Sequence, residues 1–441
     1  MQAGTASTII NNDLGTLIQG AGLPDQRVEA IRDDLEANAL YLADGSAQVL
    51  FVSCDLGALE TGRVRRYKEG MAAAAGIPVE SIVIGCSHTH SGPVVLHTNY
   101  QKPVDEDYSQ RLHNWLCALA REAVDTSAPA DIGWGVGNAR LGYNRRVCYK
   151  DGSHSMYRQS EHPDEDFTGL EGPDDTQCLA LAVFDEANRV RAVLHHGTGH
   201  PDTFYSQRVL SADFPGVARR LVREAHGEIP VLFFNGCQGD IAMSQQAHSQ
   251  ATATGKEAKM VQFGSALAGE TLRLIHEMQP IDDVALRHLQ RTLEVPVRMP
   301  TDEAVEKGRA VLARIDAGET ITGMDAIFAW GPVSLVEQFG ENPVDRLSLH
   351  VVRVGDLAIA TQPCEMFCQY QLDTKRRSPT GSNAVFGVTD GFGGYVPTLA
   401  GSLGGGYSGA PFAWARFDPA VGCQIIDALA AMLHEMWRPA Q

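Results

Sequence analysis

Three apolar runs in this chain break off in glycine-bearing polar loops, and this pattern limits its possible folds more than any other feature. They are SIVIGCSHTHSGP at 81–93, VRAVLHHGTGH at 190–200 and IPVLFFNGCQGD at 229–240. Each starts as an apolar strand and finishes in a loop, two of them with paired histidines. Between them lie helical patterns, so strands and helices alternate without any internal repeat. That alternation predicts an α/β fold, with mixed β-sheet layers flanked by helices. Active sites of such folds gather where strands end, which is where the histidines fall.

The other elements fit this reading. ALYLAD and QVLFVSCDL read as paired strands around the turn Asp44-Gly45, and TGRVRRYKEGMAAAAG as a helix stopping at Gly76. PVDEDYSQRLHNWLCALAREAV places Tyr108, Leu112, Trp115 and Leu116 at helical spacing. QCLALAVFD reads as a strand and FPGVARRLVREAHG as a helix. A strand is expected at 284–297 and a mainly helical insertion at about 298–342, before strands return in LSLHVVRVGDLAIATQP. A glycine-dense loop, GFGGYVPTLAGSLGGGYSG, precedes a closing helix, PAVGCQIIDALAAMLHEMW. The whole of 1–441 is read as one catalytic domain.

Composition narrows the function classes. Lys and Arg number 36 against 54 Asp and Glu, a net charge of −18, which repels phosphate backbones and argues against a nucleic-acid partner. Nine cysteines, scattered singly and several of them in apolar runs (Cys54, Cys86, Cys178), read as free thiols of a reducing compartment. The start, MQAGTASTIINNDLG, shows no secretory pattern, and no apolar run nears the roughly 20 residues of a membrane span. The expectation is a cytoplasmic protein acting on a small molecule without membrane insertion; a homo-oligomer is left open.

His88 and His90 are two apart, so on an extended chain both would face one pocket. Zinc favours imidazole ligands, and a catalytic site keeps one position open for water. Taken alone, the pair fits hydrogen-bonded strand-end histidines as well as metal ligands. His195-His196, ending a second strand, shifts the balance toward metal. The pattern is not that of the HxHxDH metallo-hydrolases, because Gly92 stands where their aspartate belongs. Barrel amidohydrolases need a lysine and further histidines that have no clear counterpart.

Across several ordered blocks the sequence resembles the neutral/alkaline, non-lysosomal ceramidases and their shorter relatives. The blocks are DDLEANALYL with FVSCDLGAL, SHTHSGP, GYNRR, HGT, LSADFPG, NGCQGDI, a strand ending PCE, and GGYVPT. The resemblance implies the N-terminal-domain fold of that family and a zinc ion held by His88, His196, Glu365 and Tyr395. It also implies active-site roles for His90, Arg145 and Tyr407, the last twelve residues after Tyr395 as in the family. His195 reads as the other face of its strand, His200 and Asp213 as structural, and Asp240 as a support to the site.

Two departures stand out. Cys364 replaces the glycine of the family's Pro-Gly-Glu, and Gly239-Asp240 is followed by Ile241-Ala242-Met243 where the family has a serine. Ser244 comes too late for that position, which disfavours a serine nucleophile. The family's C-terminal immunoglobulin-like domain is not expected here. The resulting expectation is a zinc-dependent hydrolase cleaving a C–N amide bond of a small, polar substrate. An ester, a lactone or a sugar-derivative bond remains open, as does a non-catalytic binding protein of the same fold. His90 and Glu365 both stand as candidates for proton transfer. Substrate selection is assigned to the loops at 94–107 and 150–175.

Overall fold

A computed structural model describes the chain apart from residues 21–23, 160, 206, 248–254, 282–283, 410 and 439–441. The expected hairpin forms between Glu36–Ala43 and Gln48–Cys54, with Ala43 opposite Gln48 and Ala37 opposite Cys54. Its turn is stabilised by Gly45 at φ 87° and by the Asp44 carboxylate, which accepts the N–H groups of Ser46 and Ala47 at 2.8 and 2.9 Å. From Cys54 the chain crosses over through helix Thr61–Ala75 and returns as Ile82–Cys86, parallel to Gln48–Cys54. The helix ends at Gly76, whose left-handed backbone carries its N–H to the Ala72 carbonyl.

The same strand–helix–strand unit recurs twice. Val190–Gly197 leads through helix Asp213–His226 to the parallel strand Val231–Asn235. Leu357–Thr361 leads through Cys368–Arg376 to the parallel strand Asn383–Phe386. A parallel return requires a crossover, and in each case a helix supplies it. Antiparallel neighbours complete the sheets: Gln2–Ile9 beside Glu36–Ala43, Gln177–Phe184 with Asp131–Asn138, and the long pair Leu286–Pro296 with Val344–Val354.

The three sheets share one core, to which Leu40, Phe51, Val83, Leu194, Val352 and Ile359 contribute. At its centre Phe234 stacks on Phe386 at 4.6 Å and meets the edge of Phe51 at 5.9 Å. Each such buried ring contributes about 1.5–3 kcal/mol relative to exposure. Gly85 is required here, since a Cβ would lie 2.5 Å from the Phe234 ring. Helices cover the outer faces. Glu106–Asp125 is capped by the Asp105 carboxylate, which accepts the Tyr108 N–H at 2.8 Å, and buries Tyr108, Leu112 and Leu116 while Trp115 stays half-buried.

Helix Lys256–Glu277 adds an element with no counterpart among the expected ones, packing Met260, Phe263 and Leu267 onto the second sheet. Between Pro296 and Val344 the chain forms helices Asp302–Asp316 and Met324–Phe339, which share a small apolar cluster of Val305, Leu312, Ala329, Trp330 and Val333. All nine cysteines are free, with Cys54, Cys86 and Cys178 buried. Among the described residues no helix is long and apolar enough to cross a membrane.

Candidate functional site

The three parallel units deliver their loops to one cavity of about 420 Å³, lined by His88, His90, His200, Glu365, Tyr395 and Tyr407 among others. The strand carrying the first histidines ends at Cys86, so His88 and His90 do not converge by extended alternation. They converge because His88 takes a left-handed φ of 71°, a strained backbone for a residue with a side chain. His88 Nδ1–H donates to the Gly57 carbonyl at 2.6 Å, leaving its Nε2 lone pair for the cavity. His200 is fixed in the same way, Nδ1–H donating to the Gln238 carbonyl at 3.2 Å. His90 Nε2 sits between them, 3.3 Å from His88 Nε2 and 3.2 Å from His200 Nε2.

Glu365 completes the cluster, its Oε2 lying 3.1 Å from His88 Nε2. Its place follows from a short parallel bridge, Cys364–Met366 with Gly394–Val396, in which Glu365 lies directly opposite Tyr395. Cys364 fits because position 393 is glycine: a Cβ there would lie 2.3 Å from the Cys364 sulfur. Across the cavity the buried Arg145 side chain donates to the Gly239 carbonyl at 2.8 Å, to Tyr157 at 2.9 Å and to the Tyr395 hydroxyl at 3.2 Å. Burial disfavours its charge, yet Tyr157, Tyr407, Tyr395 and Asp202 around it hold its pKa above the ordinary value. Burial, reinforced by Glu365 and Tyr407, pushes the Tyr395 phenol up, so without a bound cation it stays a neutral donor. Burial likewise keeps the His90 and His200 imidazoles neutral.

His196 is not at this site. It still lies in the sheet, paired with Phe234, and its ring packs 5.2 Å from Phe386 in the inter-sheet core. Its Nδ1–H donates to the Phe234 carbonyl at 3.0 Å, and burial lowers its pKa to about 3. His195 faces the opposite way, against Thr271. The strand ends at Gly197, and the histidine that reaches the cavity is His200, three residues beyond it, a residue whose sequence context suggests only a structural role. His88, His90, Arg145, Glu365, Tyr395 and Tyr407 are brought together as expected.

Three further residues complete the cavity's chemistry. Tyr157 orients Arg145 and its hydroxyl lies 3.4 Å from Asp202, which also lines the cavity. Asp240 stands behind it, accepting from Cys368 N–H and the Asn144 amide at 2.7 Å each, while its own carbonyl accepts the Arg145 backbone N–H at 2.7 Å. Asp213 lies at a helix start, where it accepts from Thr203 N–H at 2.8 Å. Ser244 accepts from Lys259 and does not line the cavity. Of the loops expected to shape the pocket, 94–107 contributes Leu96, Thr98 and Asn99, and 150–175 contributes Tyr157; Ser160 in the latter lies outside the described residues.

The donor set fits a divalent cation. His88, His90 and His200 present ligand atoms within 4.8 Å of one another, and the buried Glu365 Oε2 has no hydrogen-bond partner among the described residues. Lone pairs of two imidazoles, both with Nδ1–H already committed to carbonyls, thus converge beside a carboxylate. A cation placed between them would accept all of these lone pairs at once. Imidazole nitrogens with one carboxylate are the ligand types of catalytic zinc.

Structural comparison gives the same fold in two solved proteins. The crystal structure of neutral ceramidase from Pseudomonas aeruginosa matches with a TM-score of 0.70 at 15% identity, covering 100% of this chain and 75% of that one. A ceramidase complexed with C2 matches with a TM-score of 0.73 at 15% identity, covering 100% and 76%. No family model and no curated protein sequence matches the chain.

Proposed function

We propose that this protein is a metal-dependent hydrolase, of zinc type, that cleaves the C–N bond of a compact amide. The observation that supports this best is the convergence of His88, His200 and Glu365, with His90 and Tyr395 beside them, in a cavity on the fold of neutral ceramidase. His88, His200, Glu365 and Tyr395 would hold the ion. When bound, such an ion lowers the pKa of water toward neutrality and polarises a carbonyl.

The chain's own groups supply the rest. Among the described residues no backbone carbonyl holds the His90 ring as one holds His88 and His200, so we assign this neutral imidazole the role of taking a proton from the attacking water and passing it to the leaving amine. Arg145 and Tyr407 donate toward the carbonyl oxygen as negative charge develops, each worth about 3 kcal/mol in favourable geometry. Tyr157 and the Gly239 carbonyl hold Arg145 in place, so little reorganisation accompanies the reaction. With the cavity at about 420 Å³, toward the smaller end of the range for drug-sized ligands, a compact substrate fits better than a two-chain lipid.

The test is a hydrolysis screen of the zinc-loaded protein across N-acyl amines, esters, lactones and amino-sugar amides, with ceramide included. Turnover of short amides at rates well above the esters supports the proposal. Protein that binds less than about half an equivalent of zinc, with no activity restored by adding it, refutes it.

A further inference from the structure

Beside the catalytic cavity lies a second one of about 400 Å³, and Leu96, Thr98, Phe392 and Trp414 line both. This shared lining is tied to the site itself: the Trp414 carbonyl accepts the Tyr395 backbone N–H at 2.6 Å, and Phe392 stands three residues before Tyr395. The chambers differ in chemistry. Apart from its polar centre the first is walled by Leu96, Met324, Ile327, Phe392 and Trp414. The second adds Glu60, Thr61, His97, Gln338, Asp345 and Arg416 to the shared residues and to Phe339 and Ala413, so polar groups make up about half of its surface.

The charges of the second chamber are already matched. Arg416 donates to Asp345 at 2.9 and 2.7 Å and to the Phe392 carbonyl at 2.8 Å, bracing the shared lining. Glu60 accepts from Arg63 at 2.8 Å and from the His97 backbone N–H at 3.2 Å. A chamber of this kind offers hydrogen bonds without a net charge to neutralise. A wholly aliphatic tail there would meet Phe339 and Ala413 but would also strip water from the paired ions and from Thr61 and Gln338 without replacing its hydrogen bonds. A neutral arm bearing hydroxyl groups can replace that water, each good hydrogen bond contributing about 1 kcal/mol.

We infer that the second chamber is a subsite for a hydroxylated arm, so that the substrate is an amide with a short apolar acyl group on one side and a polyol-like amine on the other. This rests on reading the catalytic cavity as an amide hydrolase. The acyl group lies among Met324, Ile327 and Trp414, the amide at the histidines, and the hydroxylated arm passes Thr98 and Phe392 toward Gln338.

The experiment compares N-butanoyl-hexylamine with the N-butanoyl amide of an aminohexitol, matched in carbon count, on zinc-loaded wild type and Gln338→Leu. Gln338 is exposed and lies outside the catalytic groups. Wild type is expected to prefer the hydroxylated amide by about tenfold in kcat/KM. Gln338→Leu removes most of that preference through KM, with kcat and turnover of the hexylamide unchanged. Equal kcat/KM for the two amides in wild type, or equal losses on both in the variant, overturns the inference. Should neither amide be hydrolysed, the hydrolase reading fails, and calorimetry with the free aminohexitol decides the subsite separately. Binding weakened by Gln338→Leu upholds it, and absence of binding overturns it.

Discussion

His200, not His196, should be the histidine on which metal binding depends, and the structure sets the size of the difference. His200→Ala removes one of the imidazoles whose Nε2 faces the cavity, with its Nδ1–H already committed to the Gln238 carbonyl. Four-ligand zinc sites bind with apparent energies of about 10–16 kcal/mol, or about 3 kcal/mol per ligand, so the loss should be about 100-fold in affinity or more. His196→Leu keeps the volume of a ring packed on Phe386 and gives up only the hydrogen bond to the Phe234 carbonyl. Its cost should be about 1–2 kcal/mol of folding stability, with metal affinity unchanged. Competition against a chromogenic chelator measures the first quantity and urea unfolding of the metal-free protein the second. If His196→Leu loses metal while His200→Ala retains it, the reasoning that sheet pairing keeps His196 out of the cavity is wrong.

Three other outcomes follow from the geometry. Arg145→Lys keeps a positive charge but cannot reach Gly239, Tyr157 and Tyr395 together, so kcat on amide substrates should fall about 100- to 1,000-fold with zinc still bound, as read by steady-state kinetics beside metal analysis. Lys68→Met strands the buried Asp390 carboxylate, which Lys68, His350 and the Ile84 N–H now hold far below the usual carboxylate range despite its burial. The loss should be about 3–5 kcal/mol, and denaturant unfolding showing less than 1 kcal/mol would contradict it. Burial raises Asp240 to about 7, against its bonds from Cys368 and Asn144. Because the folded pKa lies above the ordinary value near 4, its stabilising contribution is full below about pH 4 and lost as pH rises toward 7. Asp240→Asn should therefore flatten that part of the urea-midpoint profile against pH, whereas an unchanged slope would show that Asp240 does not titrate there.

The layered fold was legible because its information is local. Apolar runs, the Asp44-Gly45 turn and the stop at Gly76 specify their elements within a few residues, and strand–helix–strand order then demands parallel returns. Block resemblance added His88, His90, Arg145, Glu365, Tyr395 and Tyr407, all of which line the cavity. Helix Lys256–Glu277 has no counterpart in that reading, although Met260, Phe263, Gly264 and Leu267 follow helical spacing.

What the sequence determined by itself was which residue types stand at the ends of which strands. Only the tertiary structure decided which of them meet. HHGTGH offers three histidines within six residues, and pattern alone cannot say where the strand stops. Pairing with Val231–Asn235 holds His195 and His196 inside the sheet and releases His200 beyond it. The same holds for HTH: extended alternation predicted a shared face, and a left-handed residue at His88 produced the convergence instead. Asp202, Tyr157 and the second chamber come together from segments far apart in the chain, a proximity that no local spacing records. Strand identity is set by neighbours along the chain; the site is set by where three separate sheets let their strands end.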